Sequence, residues 1–313
     1  MTHLVLTGLK GHHPLGFLAA CGLLRCCETW HGFGRTTLAW ERSREGGFLA
    51  SFQSEGTIDF ETLTQVVNCS AKQQRESPAF TWSSKIDDRE KYRATAIALQ
   101  NDSNHRLGKE GLNRLAALAS DLVTNEKGQL RRTLFDMTSA SQSFLKNLRR
   151  SAGEPENRSH HPRLFTNEDV TEALIGPWEY RDSEHSLGWD PRTQRLHALR
   201  HKLPAADTQN RSVRLAIYLA SEALPFFACF AVAGKLRTTG FRREDEDDWF
   251  TWPIWTASIA ADTLRSLLAH PFDRSLMSRG IDTIYRCQRT RTGGAEGNYQ
   301  IFNHAQEWMP DAK

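Results

Sequence analysis

The stretch Leu4-Val-Leu-Thr-Gly-Leu-Lys-Gly-His-His-Pro-Leu-Gly-Phe-Leu-Ala-Ala-Cys-Gly-Leu-Leu-Arg25 decides how this chain is read. Leu4 to Leu9 predicts a short apolar strand, and Lys10-Gly-His-His13 a turn. Pro14 then opens an apolar helix, since its missing N–H would be unpaired in a first turn anyway. Glycine inside a helix costs about 1 kcal/mol against alanine. Gly16 and Gly22 therefore mark a backbone held close to something, another helix or a nucleic-acid strand. Gly16, Ala19, Ala20 and Gly22 favour a helix packed tightly within the fold, which leaves the Lys10–His13 turn as the exposed part.

Outward from this point the pattern alternates between strand and helix. Thr36, Leu38 and Trp40 and then Phe48, Ala50 and Phe52 flank a charged turn, predicting a hairpin over 35–52. Helices are expected at Phe60–Cys69, Arg89–Gln100 and Leu112–Val123, with a polar loop over 70–91. The span 131–150 carries a basic set at Arg131, Arg132, Lys146, Arg149 and Arg150. Ser151–Pro162 has almost no apolar anchor and reads as a linker or loop. Arg211–Ala233 reads as an apolar helix broken near Pro225, and 235–251 as a hairpin with an acidic tip at Glu244–Asp248. Trp252–Trp255 reads as a turn before a helix at 257–269, and 279–303 as helix or strand before a glycine turn. The expectation is an α+β fold: an N-terminal mixed α/β domain with short hairpins over 1–150, a linker over 151–206, and a mainly helical C-terminal domain with a basic hairpin over 207–313.

Composition bounds the function. The 313 residues are 39% hydrophobic and 25% charged, which is ordinary for a globular protein. A formal charge of +3 gives no global attraction to polyanions, so any such contact must be local. Six scattered cysteines form no CxxC pair, which favours a reduced, cytoplasmic setting. The run 14–27 is too short to cross a bilayer and contains Arg25, so neither a membrane partner nor a leader is expected.

Catalytic patterns are absent. No nucleophile elbow, Walker loop or dinucleotide fingerprint occurs. His12, His13, Cys21, Cys26 and Cys27 lack the spacing of a zinc site. His197 and His201 stand four apart without the glutamate a zinc protease needs. The acidic run Glu244–Asp248 suits a solvated turn better than a cation site. No enzyme, metal or cofactor is expected. Two arginine turns remain as nucleic-acid candidates. One holds Arg237, Arg242 and Arg243, and the other Arg289, Arg291, Asn298 and Gln300, of types that grip phosphates or read base edges. Lys10, His12 and His13 of the first turn join them, because an exposed turn there can face a nucleic-acid backbone.

The opening stretch resembles the start of large subunits of type I CRISPR effector complexes (Cascade), closest to the I-G subtype, formerly I-U. Gly188-Trp-Asp-Pro191, Leu196-His-Ala-Leu-Arg200, Leu236-Arg-Thr-Thr-Gly-Phe241 and Phe250-Thr-Trp-Pro-Ile-Trp255 are similar to the same group. The likeness covers separated islands, about a third of the chain. It implies a non-catalytic antiviral-defence subunit of a guide-RNA ribonucleoprotein, beside the backbone and 5′-handle-binding subunits. Such a subunit binds target double-stranded DNA, recognises the protospacer-adjacent motif, supports R-loop formation and recruits a helicase-nuclease. It also implies a helical bundle at the C-terminal end. Two alternatives stand beside it. One is a structural adaptor anchored through Trp249, Trp252 and Trp255; the other is a nuclease using Glu244–Asp248 with a divalent metal.

Overall fold

Helix α1 (Pro14–Glu28) is buried from Pro14 through Cys27, as a helix that is apolar all round must be. Strand β1 (Thr2–Lys10) delivers the chain to it. The His13 side chain caps the helix by accepting from the Gly16 N–H at 3.3 Å, with Pro14 in the first turn. The computed structural model describes residues 2–82, 85–138, 143–157, 159–192, 211–292 and 299–310.

The predicted hairpin is present as β2 (Thr36–Arg42) and β3 (Phe48–Ser54), and β1 adds to it in the order β1-β3-β2. Helices α2 (Phe60–Glu76), α3 (Arg89–Gln100) and α4 (His105–Leu118) follow. Asp59, Asp88 and Asn104 cap them in turn, each accepting from a backbone N–H three residues on. A small hairpin, β4 (Ala119–Thr124) and β5 (Leu130–Arg132), precedes α5 (Phe144–Ser151) and α6 (Asn167–Leu174). The second half holds α7 (Arg214–Ala223), β6 (Cys229–Val232), β7 (Lys235–Thr238), β8 (Phe241–Glu244), β9 (Asp247–Trp255) and α8 (Ala261–Ala269). It ends with β10 (Ile281–Thr292), β11 (Tyr299–Phe302) and β12 (Gln306–Glu307).

The C-terminal portion is therefore rich in strand, contrary to the expectation of a mainly helical one. A sheet ordered β11-β10-β9-β8, with β12 also on β10, dominates it. The reason lies in two segments. Residues 250–255 are buried at every position, so the run lacks the alternation that betrays a half-exposed strand, and Pro253 reads as a turn signal. Pro253 is tolerated because β8 no longer runs beside β9 there: the pairing of the two stops at Phe250. Ile281, Thr283, Ile284 and Tyr285 supply the β-branched and aromatic side chains that settle 281–292 as strand. The apolar run after Arg211 also stops being helix at Ala223 and becomes strand by Cys229.

Contact between the halves is close. A Cβ at Gly22 would lie 1.7 Å from the Leu219 carbonyl oxygen, so α1 and α7 cross backbone to backbone. Arg25 of α1 pairs with Glu222 of α7 and Glu110 of α4, while Arg114 of α4 approaches Glu222 at 3.0 Å. Phe17 stacks between Trp40 of the first sheet, at 5.9 Å, and Trp252 of β9, at 5.6 Å. Residues 163–165 lie against α7: the buried Arg214 donates to the Arg163 and Leu164 carbonyls at 3.1 and 3.0 Å and lies over the Phe165 ring. One hydrophobic cluster takes side chains from 1–150, 151–206 and 207–313 alike.

Candidate nucleic-acid interface

Three short elements converge on one open cleft. The β4–β5 hairpin closes through Asn125, whose N–H donates to the Gln129 carbonyl at 2.7 Å. The β6–β7 hairpin turns at Ala233 and Gly234, with φ of 47° and 71°, the left-handed pair a two-residue hairpin turn requires. Its inner face is fixed: the Leu134 N–H donates to Thr238 Oγ1 at 3.1 Å, and the Cys229 thiol reaches the Ala117 carbonyl at 3.5 Å. Arg243 of β8, Asp248 of β9 and Arg289 of β10 complete the wall. The cleft encloses about 820 Å³.

Its lining is strongly asymmetric in charge. Lys85, Arg131, Arg132, Lys235, Arg237, Arg243 and Arg289 face it, against Asp87, Asp136 and Asp248. Two of those carboxylates are spoken for. Asp136 pairs with Arg132 and also accepts from Thr138 Oγ1 at 2.6 Å, and Asp248 lies 3.6 Å from Arg289. Arg289 is largely buried and donates to the Asp136 carbonyl at 2.9 Å, so burial lowers its pKa while Asp248 and Asp136 oppose that. It is wall as much as contact. Arg131, Lys235, Arg237 and Arg243 have no carboxylate partner within ion-pair distance among the described residues. Four such guanidinium and ammonium groups around one concave surface suit a phosphate backbone.

The structure thus brings Arg237, Arg243 and Arg289 together. Arg291 extends the row, exposed and on the same face of β10 as Arg289, because strand side chains alternate with period two. Gln300 pairs with Arg291 across β10 and β11, but its carbonyl packs against Gly188. Arg242 points to the other face of β8. There it donates to the Phe272 carbonyl at 3.1 Å, between the Phe272 and Trp308 rings, and burial lowers its pKa. Asn298 and the pair His197 and His201 lie outside the described residues.

Lys10, His12 and His13 do not line the cleft. Lys10 is exposed at the end of β1 opposite Leu49. His12 stands beside Tyr285 at 6.3 Å, and burial, with His13 and Lys10 adding to it, lowers its pKa, so it carries little charge at neutral pH. His13 is committed to its helix cap, and its Nε2 lies 3.4 Å from the buried Asp190. Burial would raise the Asp190 pKa, yet the hydrogen bond and charge of His13 hold it below the usual carboxylate range.

Sequence reasoning did not place Lys85, Arg131, Arg132 and Lys235 in the site. Arg131-Arg132 just after an Asn125–Gly128 turn was the available signal. The acidic run is also explained: Glu244 pairs with Arg286 at 2.7 Å, and Asp245 takes a turn φ of 53°. Among the described residues no three His, Cys, Asp or Glu side chains are grouped to hold a metal ion.

Leu196–Arg200 lies outside the described residues, while the other motif islands each send a residue into the core. Trp252 Nε1 donates to the Gly11 carbonyl at 2.8 Å, Trp189 Nε1 to the Phe135 carbonyl at 3.0 Å, and the Thr251 N–H to the Gly240 carbonyl at 2.8 Å. Trp189, Gly240, Thr251 and Trp252 preserve packing, whereas Leu236 and Arg237 of the 236–241 island line the cleft. No family model matches the chain, and no curated protein or solved structure matches it either. Among the described residues, no helix is long and apolar enough to cross a membrane.

Proposed function

We propose that this chain is the non-catalytic, DNA-binding large subunit of a guide-RNA surveillance complex acting in the cytoplasm, and that the basic cleft grips target duplex. In this reading it sits beside the guide-RNA backbone and 5′-handle subunits, recognises the protospacer-adjacent motif, supports R-loop formation and offers a surface to a helicase-nuclease. The observation that carries the DNA-binding part is the cleft itself, with seven basic side chains against three carboxylates. The motif islands support the assignment to such a complex. Sequence would be read there chiefly by guide pairing, with protein contacts supplying backbone grip.

The rivals draw less support. Trp252 and Trp255, the adaptor's proposed anchors, are fully buried, and Trp249 lies under the Arg286 guanidinium at 4.3 Å. For a nuclease, Glu244 and Asp248 already face Arg286 and Arg289. The test is duplex binding across a salt series, with the chain in its reconstituted guide-RNA complex. Replacing Arg131, Lys235 and Arg243 together by alanine should lower the slope of log affinity against log salt by about 2 to 3, at roughly 0.9 per phosphate contact. An unchanged slope and affinity would remove the cleft from DNA binding.

A further inference from the structure

The β6–β7 hairpin has a second, outward face that charge alone does not explain. Phe230 and Val232 are 46% and 47% exposed, an unusual position for two large apolar side chains on a two-stranded ribbon. Cross-strand register sets Phe230 opposite Arg237 and Val232 opposite Lys235. Directly opposed residues share a face, and period two puts all four on the same one. That face joins an aromatic ring and an aliphatic side chain to two cations, and the segment 229–238 contains no acidic residue. Lys235 and Arg237 also line the basic cleft, so the ring stands at its edge.

Resting on the reading of the cleft as a nucleic-acid site, we infer that the outward face of this hairpin binds single-stranded DNA, with an unpaired base stacked on Phe230. Lys235 and Arg237 hold the flanking phosphates. Charge complementarity selects the polyanion. The ring selects the single strand, because a base still stacked in a duplex has no free face to offer. Stacking tolerates any base, since every base has a π-face, so this subsite adds affinity without sequence preference. The inward face, fastened through Thr238 and Cys229, keeps the hairpin from folding over to bury the ring.

The test uses the chain in its reconstituted guide-RNA complex and a twelve-nucleotide single strand, not complementary to the guide and carrying one 2-aminopurine, with a matched duplex as the second probe. Binding of the unaltered chain should quench the 2-aminopurine. Phe230→Ala should weaken single-strand binding roughly tenfold to a hundredfold and abolish the quench. The salt slope should hold, because no phosphate contact is lost, and duplex affinity should be unchanged. Phe230→Trp should restore both affinity and quench. Arg237→Ala should instead lower the single-strand salt slope by about 0.7. Wild-type affinity in Phe230→Ala, equal losses on single strand and duplex, or rescue by Phe230→Leu as complete as by Phe230→Trp would each overturn the inference. If the unaltered chain binds neither probe, the reading of the cleft falls as well; if it binds both and Phe230→Ala has no effect, only this inference falls.

Discussion

Glu222 accepts hydrogen bonds from Arg25 and Arg114 where almost no water reaches, with the glutamate 1% exposed. Burial pushes its pKa up, but the charges of Arg114 and Arg25 outweigh this and hold it below the ordinary value. A carboxyl group depressed in the folded state stabilises fully above its unfolded pKa and stops doing so as pH falls through the folded value. Glu222→Gln should therefore cost about 3–5 kcal/mol at neutral pH, measured by urea unfolding, because it leaves two guanidinium groups short of a buried counter-charge. The variant should also lose part of the fall in stability seen on acidification below about pH 4. If it unfolds at the same urea concentration as the unaltered chain, the cluster is not holding the helices together. Gly22 is the neighbouring case. A methyl group there meets the Leu219 carbonyl oxygen, so Gly22→Ala should cost about 3 kcal/mol in the same measurement although alanine is the better helix former. The close approach at Gly22 was legible in the sequence. Its partner was not, because Leu219 stands almost two hundred residues away and a single sequence shows no pairing of distant positions.

Period located some elements and misled at one: the helical stripe expected over Leu112–Val123 ends at Leu118, and Ala119–Thr124 is strand β4, paired with β5. The β2–β3 hairpin alternates, and α3 starts at a capping aspartate, so both stand where the pattern puts them. β9 is covered on both faces and interrupted by Pro253, which hides its strand character. β10 tells the same story for the site. Arg289 and Arg291 look equivalent in sequence, but burial divides their roles. Arg289→Ala should remove a buried donor to the Asp136 carbonyl and strand Asp248, lowering the melting temperature by several degrees. Arg291→Ala should leave the melting temperature within a degree of the original and lower the salt slope of duplex binding by roughly 0.9, if one phosphate contact is lost. Equal melting temperatures for the two variants would mean that the wall role of Arg289 is wrong. Arg131 and Arg132 of β5 and Lys235 of β7 escaped, although Arg237 of β7 did not, because a cleft assembled from three separate elements has no linear signature.

At the scale of the whole molecule, the sequence divides at the polar stretch after residue 150, whereas the packing runs across it. Helix α1 is covered by α7, so a fragment of residues 1–150 would expose the strip of α1 around Gly22 and strip Arg25 of Glu222. Trp40 would lose Trp255, whose indole N–H also donates to the Leu38 carbonyl at 2.8 Å in the first sheet. Arg214, anchored on the carbonyls of Arg163 and Leu164, ties the middle segment to the same helix. An element apolar on every side cannot persist in water without its cover. The 1–150 fragment should therefore show no cooperative thermal transition and should bind dyes that seek exposed apolar surface. The full chain should unfold in one step, with tryptophan fluorescence and far-ultraviolet circular dichroism changing together. A sharp transition in the isolated fragment, or two separated transitions in the full chain, would mean that the halves hold separate cores and that the α1–α7 crossing is an interface between domains. In the single-core case, a substitution at Gly22 or Glu222 weakens the sheet that carries Arg243 and Arg289 as well as the helices. The loss of DNA binding in such variants should then follow the unfolded fraction, and should vanish at temperatures where the variant is fully folded.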